Sequence, residues 1–207
     1  MTVRLQAAIV ALSAALACGL LGSSVSDAPP GALDRNGAAL AGELPAIAQI
    51  FTASCWWYVL VALGLAAIVF AVVRPAWRMR VAFSIVTTLV AWQGSDAVKN
   101  LFARSRPPYW IVNHETTWSY PSGHAMFAVV VYGLWSYYIA TSELPPAVRR
   151  VLAGAVALWG LGVIWSRLAL GAHYVTDLFG GVLFGVTMIA IATAVAGGIP
   201  ELRRTAA

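Results

Sequence analysis

Charged side chains are scarce in this chain: Asp, Glu, Lys and Arg make up only 10% of its 207 residues. A soluble domain carries roughly 25%. With 60% hydrophobic residues and a mean hydropathy of +0.79, this scarcity excludes an ordinary water-soluble fold and makes lipid the main solvent. Cysteine is nearly absent. Cys18 and Cys55 each lie in or at the edge of an apolar run, so they read as small packing residues rather than a disulfide or a metal-binding set. Acidic residues number eight and histidines three. Asp and Glu do not cluster as a Mg²⁺ site requires, nor do His and Cys take zinc spacing. The expectation is a protein with no metal and no cofactor. The net charge of +5 is spread between apolar runs rather than gathered in a soluble patch, which argues against nucleic acid as a partner. Repeats, low-complexity tails and a second domain are also lacking.

Long apolar runs are what the chain has. A membrane-spanning helix needs about 20 mainly apolar residues. Six segments reach or approach that length: 5–23, 52–73, 81–101, 123–141, 148–170 and 174–197. Breakers or charges bound them, as in "DAPPG", "RPAWRMR", "ARSRPPYW" and "SELPPAVRR". The expected fold class is therefore all-α: an integral membrane bundle of six transmembrane helices forming one domain over 1–207. Residues 32–50 are too mixed to span and read as a loop with a short amphipathic helix at the interface. The gap between the last two spans is short, which requires a tight bend at Gly171. Arg4 before the first apolar run, with "ALAC" ending at Cys18, resembles a cleavable signal. Ala15 stands where a lipoprotein signal has Leu, so the first helix is expected to stay.

With six spans and both termini cytoplasmic, most basic residues fall inside, as the positive-inside rule asks. Arg35, Lys99, Arg104, Arg106 and Arg167 fall outside. Most of these gather near the ends of three helices, where an anion would hold them. The short basic loops suggest a prokaryotic plasma membrane, with the site on its extracytoplasmic side.

Each of those ends carries chemistry. In "KNLFARSRPP", Lys99 nears the end of the third span and Arg106 follows seven residues later, before Pro107 and Pro108 stop any helix. In "SYPSGHAMFAVV", Ser122 and Gly123 open a helix whose free N–H groups attract anions, and His124 stands in its first turn. In "SRLALGAHYVTD", His173 and Asp177 are four apart, which on a helix places them on one face. A carboxylate accepting the Nδ1 proton leaves Nε2 bare and basic, as a nucleophile requires. Arg167 adds a guanidinium fork suited to phosphate oxygens. His114, Arg104 and Asp96 receive no role. Trp56, Trp57, Trp110 and Trp118 read as an interfacial aromatic belt.

These three motifs, K-x6-RP, PSGH and SR-x5-H-x3-D, resemble those of the type 2 phosphatidic acid phosphatase (PAP2) superfamily of lipid phosphate phosphatases. The motifs span residues 99–177 without a departure at any motif position. The resemblance implies that His173 attacks phosphorus, that Asp177 orients it, and that His124 protonates the leaving oxygen and then activates water. Lys99, Arg106, Arg167, Ser122 and the Gly123 N–H would hold the phosphoryl oxygens. It implies a metal-free hydrolase of a phosphorylated membrane lipid, with the bilayer as its setting and no implied oligomeric state. The candidate substrates are polyprenyl diphosphate, slightly ahead by family analogy, phosphatidylglycerophosphate and phosphatidate. A lipid-linked phosphotransferase using the same phosphohistidine is the alternative. A transporter using the cations as an anion path would keep its flux after His173→Ala. The soluble vanadium haloperoxidase branch shares the motifs but not the apolar spans.

Overall fold

The computed structural model describes residues 1–109 and 115–198, and these residues are helical or irregular, without strands. Their elements in chain order are α1 (Val3–Val25), α2 (Ala32–Ala38), α3 (Pro45–Ala53), α4 (Trp57–Val73) and a 3₁₀ turn (Pro75–Trp77). Then come α5 (Arg78–Phe102), α6 (Gly123–Phe127), a π-helical segment (Ala128–Gly133), α7 (Leu134–Ala140), α8 (Pro146–Ala169) and α9 (Val175–Ala196). His114 and Trp110 lie outside the described residues, as do Arg203 and Arg204.

Among the described residues four helical stretches are long and apolar enough to cross a membrane: Val3–Val25, Pro75–Phe102, Pro146–Ala169 and Val175–Ala196. A fifth arises if α3 and α4, bent by 50° at their junction, count as one span. Two of the six expected spans are thus changed. The segment expected at 52–73 begins at Trp57, because the chain breaks over 54–56. There Trp159 donates to the Ser54 hydroxyl and the Tyr132 hydroxyl donates to the Ser54 carbonyl, drawing that turn toward α8 and the π segment. The segment expected at 123–141 is helical over 123–140 but divides into α6, the π turn and α7, each short by itself. The mixed stretch 32–50 contains two short helices, α2 and the start of α3, rather than one.

The outward faces are apolar. Leu12, Leu65, Val69, Val72, Leu158 and Val195 are all exposed, as expected where hydrocarbon replaces water and every helix satisfies its own backbone. The interior relies on small residues. Ala7, Ala11, Ala14 and Cys18 are buried on α1, which packs along α9. On α9, Gly181 and Gly185 share one face, and a Cβ on either would strike α6 or the π segment. Close approach of backbones is how membrane helices pack without a hydrophobic drive. Both cysteines are buried and free.

Three turns aim the polar residues. Ala103 ends α5 in the left-handed region (φ 46°) and donates its N–H to the Lys99 carbonyl, turning the chain back over the helix end. Gly171, at φ 63°, makes the expected bend between α8 and α9. Ser122 caps α6, its hydroxyl accepting from the Ala125 N–H, while its own N–H donates to the Asp177 carbonyl at 3.0 Å. That last bond ties the PSGH loop to the first turn of α9.

Candidate active site

Arg106 stands at the centre of the polar cluster. Its Nη1 donates to the Ala172 carbonyl (3.0 Å) and to His173 Nε2 (3.1 Å). Its Nε donates to the Thr117 carbonyl (2.8 Å) and its Nη2 to Glu115 Oε2 (2.6 Å). A guanidinium only donates, so Nε2 of His173 is an acceptor here, with its lone pair toward the cations. Lys99 Nζ donates to Thr117 Oγ1 (3.1 Å) and the Trp118 carbonyl (3.0 Å), groups that Arg106 also contacts. Arg167 donates from Nη2 to Glu115 Oε1 (2.6 Å) and from Nη1 to Thr52 Oγ1 (2.5 Å). Lys99, Arg106, Arg167 and His173, spread over more than 70 residues of sequence, thus form one connected cluster. Lys99, Arg167 and His173 are buried within it.

Asp177 is fully buried and backs the imidazole. The two do not pair as helical i,i+4 neighbours, because His173 lies in the turn before α9 and Asp177 in the first turn of the helix. Asp177 Oδ2 instead accepts the N–H of Tyr174 (2.9 Å), which folds the turn onto the carboxylate. His173 Nδ1 then lies 3.5 Å from Oδ2. Ser119 sits between them: its Oγ is 3.3 Å from Nδ1 and donates to Oδ2 at 2.5 Å. With Nε2 accepting, the ring proton is on Nδ1 and faces Ser119 and Asp177.

His124 stands in the first turn of α6, as expected. Its Nε2 is buried and has no hydrogen-bond partner among the described residues. The charges around it are Arg167, Glu115, Lys99 and Arg106, the same four that surround His173. Gly123 leaves its outer face open, since a Cβ there would meet nothing closer than Ser95 Oγ at 3.9 Å. Ser122 is buried, with its hydroxyl on the helix cap.

Charge sets the protonation of the turn and loop groups. Burial, then Arg106 and Arg167, hold His173 well below the ordinary imidazole value. Burial opposes the Glu115 carboxylate, but Arg167 and Arg106 outweigh it and hold this acid well below the usual range. Glu115 therefore lies as an anion between two guanidiniums, next to the bare nitrogen of His173.

Glu115, Ser119 and Arg104 carry no family motif and were given no role by sequence reasoning. Arg104 proves to be buried, with Nη1 on Asp177 Oδ1 (2.6 Å) and Nη2 on Asp34 Oδ2 (2.8 Å). The only sequence signal for it was a charge retained beside an apolar span, which by itself is costly. Asp96 keeps no assigned role.

Residues 56–199 match the PAP2 superfamily. The chain is 33% identical over 99 residues to phosphatidylglycerophosphatase B of Bacillus subtilis (strain 168), covering 45% of this chain and 47% of that protein. It is 33% identical over 110 residues to phosphatidylglycerophosphatase B of Escherichia coli (strain K12), covering 51% of this chain and 41% of that one. The matched part is thus less than half the length of either relative. The fold resembles the crystal structure of a transmembrane PAP2 type phosphatidylglycerolphosphate phosphatase from Bacillus subtilis. The TM-score is 0.73 at 21% identity, over 90% of this chain and 95% of that one.

Proposed function

The chain belongs to the PAP2 superfamily, and from that premise we propose that it is an integral membrane phosphatase acting on a phosphorylated lipid through a phosphohistidine. The observation that carries this reading is the Glu115 carboxylate spanning Arg106 and Arg167, at 2.6 Å from each, beside an unprotonated His173 Nε2. A cradle that holds one oxyanion there can hold another. An incoming phosphoryl group exchanges Glu115 for its own oxygens on Arg106, Arg167 and Lys99, with the Gly123 N–H beside them. Arg106 then releases Nε2.

The lone pair of Nε2 forms a bond to phosphorus as the bond from phosphorus to the lipid oxygen breaks. The phosphoryl anion in the cradle favours the protonated form of His124, which gives that oxygen its proton. Asp177 and Ser119 take up the charge that develops at Nδ1. His124, now neutral, takes a proton from water as the water attacks phosphorus. Inorganic phosphate leaves and Nε2 regains its lone pair. The cations stabilise the equatorial oxygens as charge shifts in the transition state. Cations fill the positions around the phosphoryl group, so the reaction is assigned no metal.

The six-span layout belongs to this reading, with 123–140 as the fourth span and the π turn inside it. So does a site at headgroup depth on the extracytoplasmic face of a prokaryotic plasma membrane. Among the three candidate substrates, the names of the relatives move phosphatidylglycerophosphate ahead of polyprenyl diphosphate.

The test is phosphate release from a panel of phosphorylated lipids by the purified chain in detergent, with and without lipid alcohol acceptors. Wild type should release phosphate and His173→Ala should not. With lipid carrying radiolabelled phosphate, the protein should hold an acid-labile, base-stable label. That label should be absent from His173→Ala. Phosphate release that survives His173→Ala would end the proposal, and transfer to an acceptor in place of release would turn the assignment to phosphotransferase.

A further inference from the structure

Three charged or polar groups behind Asp177, namely Asp34, Arg104 and Thr176, form a chain that the reaction as written leaves unused. Asp34, on the short helix α2, accepts from the Thr176 N–H (3.0 Å) and from Arg104 Nη2 (2.8 Å). The Thr176 hydroxyl contacts both Asp34 oxygens, at 2.9 and 3.0 Å. Arg104 Nη1 donates to Thr176 Oγ1 (2.7 Å) and to Asp177 Oδ1 (2.6 Å). The guanidinium carbon lies 4.3 Å from the centre of the Tyr174 ring. Asp34, Arg104 and Asp177 are 2%, 3% and 0% exposed, so none gains much from water.

We propose that Arg104 and Asp34 are positioning residues, which fix Asp177 against His173 and set the charge that Asp177 presents to the imidazole. This rests on the phosphatase reading for its consequence, though not for its geometry. Asp177 has two oxygens with separate duties. Oδ2 serves Ser119, the Tyr174 N–H and His173, while Oδ1 is taken by Arg104. A planar fork bonded at Oδ1 stops the carboxylate from turning about its last torsion. A lone cation there would also neutralise Asp177 and cancel its pull on the Nδ1 proton. Asp34 offsets that cation. Together the three groups keep one net negative charge behind the ring, which is what an imidazole gaining positive charge on phosphorylation needs. Burial works against the charge on Arg104, yet Asp177 and Asp34 hold its guanidinium above the ordinary value.

Other groups face this chain. Arg106, Arg167, Glu115 and Lys99 act on His173 from the far side of the ring. Tyr109, Tyr120 and Tyr174 surround Asp177 and Arg104, and burial raises all three phenols, which stay neutral over the range of the test.

The test sets Asp34→Asn against Arg104→Gln. Loss of Asp34's charge leaves Arg104 uncompensated, which disfavours the imidazolium. The His173 titration, and the acid limb of kcat with it, should move to lower pH. Loss of Arg104's charge should move both to higher pH. In each variant kcat should fall about 10-fold with little change in KM, the size usual for removing a partner of a functional histidine. The double variant should return the limb toward wild type while kcat stays low. The histidine titration is read by NMR in detergent, with His173→Gln to identify the resonance, so it does not depend on turnover. If wild type releases no phosphate but the titrations diverge, the phosphatase reading fails and the positioning proposal stands. If phosphate release is normal and both variants shift alike, or neither shifts, the positioning proposal is overturned. Should Arg104→Gln fail to fold, Arg104→Lys replaces it: it keeps the charge and loses the fork, so kcat should fall with the limb unmoved. A shift as large as that of Asp34→Asn would overturn the proposal.

Discussion

His173 keeps its lone pair because burial and two guanidiniums penalise the protonated ring. The sign of the pH dependence follows. A base whose value lies below the ordinary 6.5 or so stays unprotonated as pH falls through that point and is lost only further down. The acid limb of kcat/KM should therefore lie below about pH 6.5, and an acid limb above it would contradict the geometry. Glu115 offers a second prediction at this scale. Its carboxylate competes for the place an entering phosphoryl group must take, so Glu115→Gln should tighten inhibition by inorganic phosphate in a steady-state assay. It should also lower thermal stability, because Arg106 and Arg167 then lose a shared counter-ion. The histidines, the aspartate and the motif cations were legible in the sequence because each stands in a fixed spacing. Glu115 and Ser119 were not, since a lone Glu or Ser in a loop has no spacing to read, and Arg167 and His173, which they meet in the fold, lie 50 or more residues away.

At the scale of elements, α9 positions the PSGH loop through its glycines. A Cβ on Gly181 would press into the Ser122 carbonyl and Ala125. Gly181→Ala should cost about 1–3 kcal/mol by overpacking, seen as a lower melting temperature in detergent, with reduced phosphate release because Ser122 and His124 shift together. Gly154→Ala on α8 meets nothing within 4 Å and should leave both unchanged. The sequence announced α1, α5, α8 and α9 by their apolar length. It misplaced the start of α4, because what breaks the chain over 54–56 is the hydrogen bonding of Ser54 to Tyr132 and Trp159. It likewise treated His173 and Asp177 as helical neighbours, whereas the helix starts after His173 and the carboxylate reaches it through the turn.

For the whole molecule, orientation and metal independence are the open tests. Ser105 is exposed in the loop after α5, and the two native cysteines are buried. Ser105→Cys should react with a membrane-impermeant maleimide in right-side-out vesicles and not in sealed inside-out ones; the reverse pattern would place the site on the cytoplasmic face. Phosphate release should persist in excess EDTA, and a loss restored by Mg²⁺ would assign the cations a different task. The sequence alone determined that this is an all-helical membrane chain of the PAP2 kind, because lipid demands long apolar helices and because phosphoryl chemistry demands its histidines and cations at set spacings. Only the tertiary structure decided what occupies the cradle and what stands behind it. Glu115 lies between Arg106 and Arg167, and Arg104 lies between Asp177 and Asp34, because a buried charge needs an opposite one within a few ångströms, and the fold rather than the order of residues chooses which one that is.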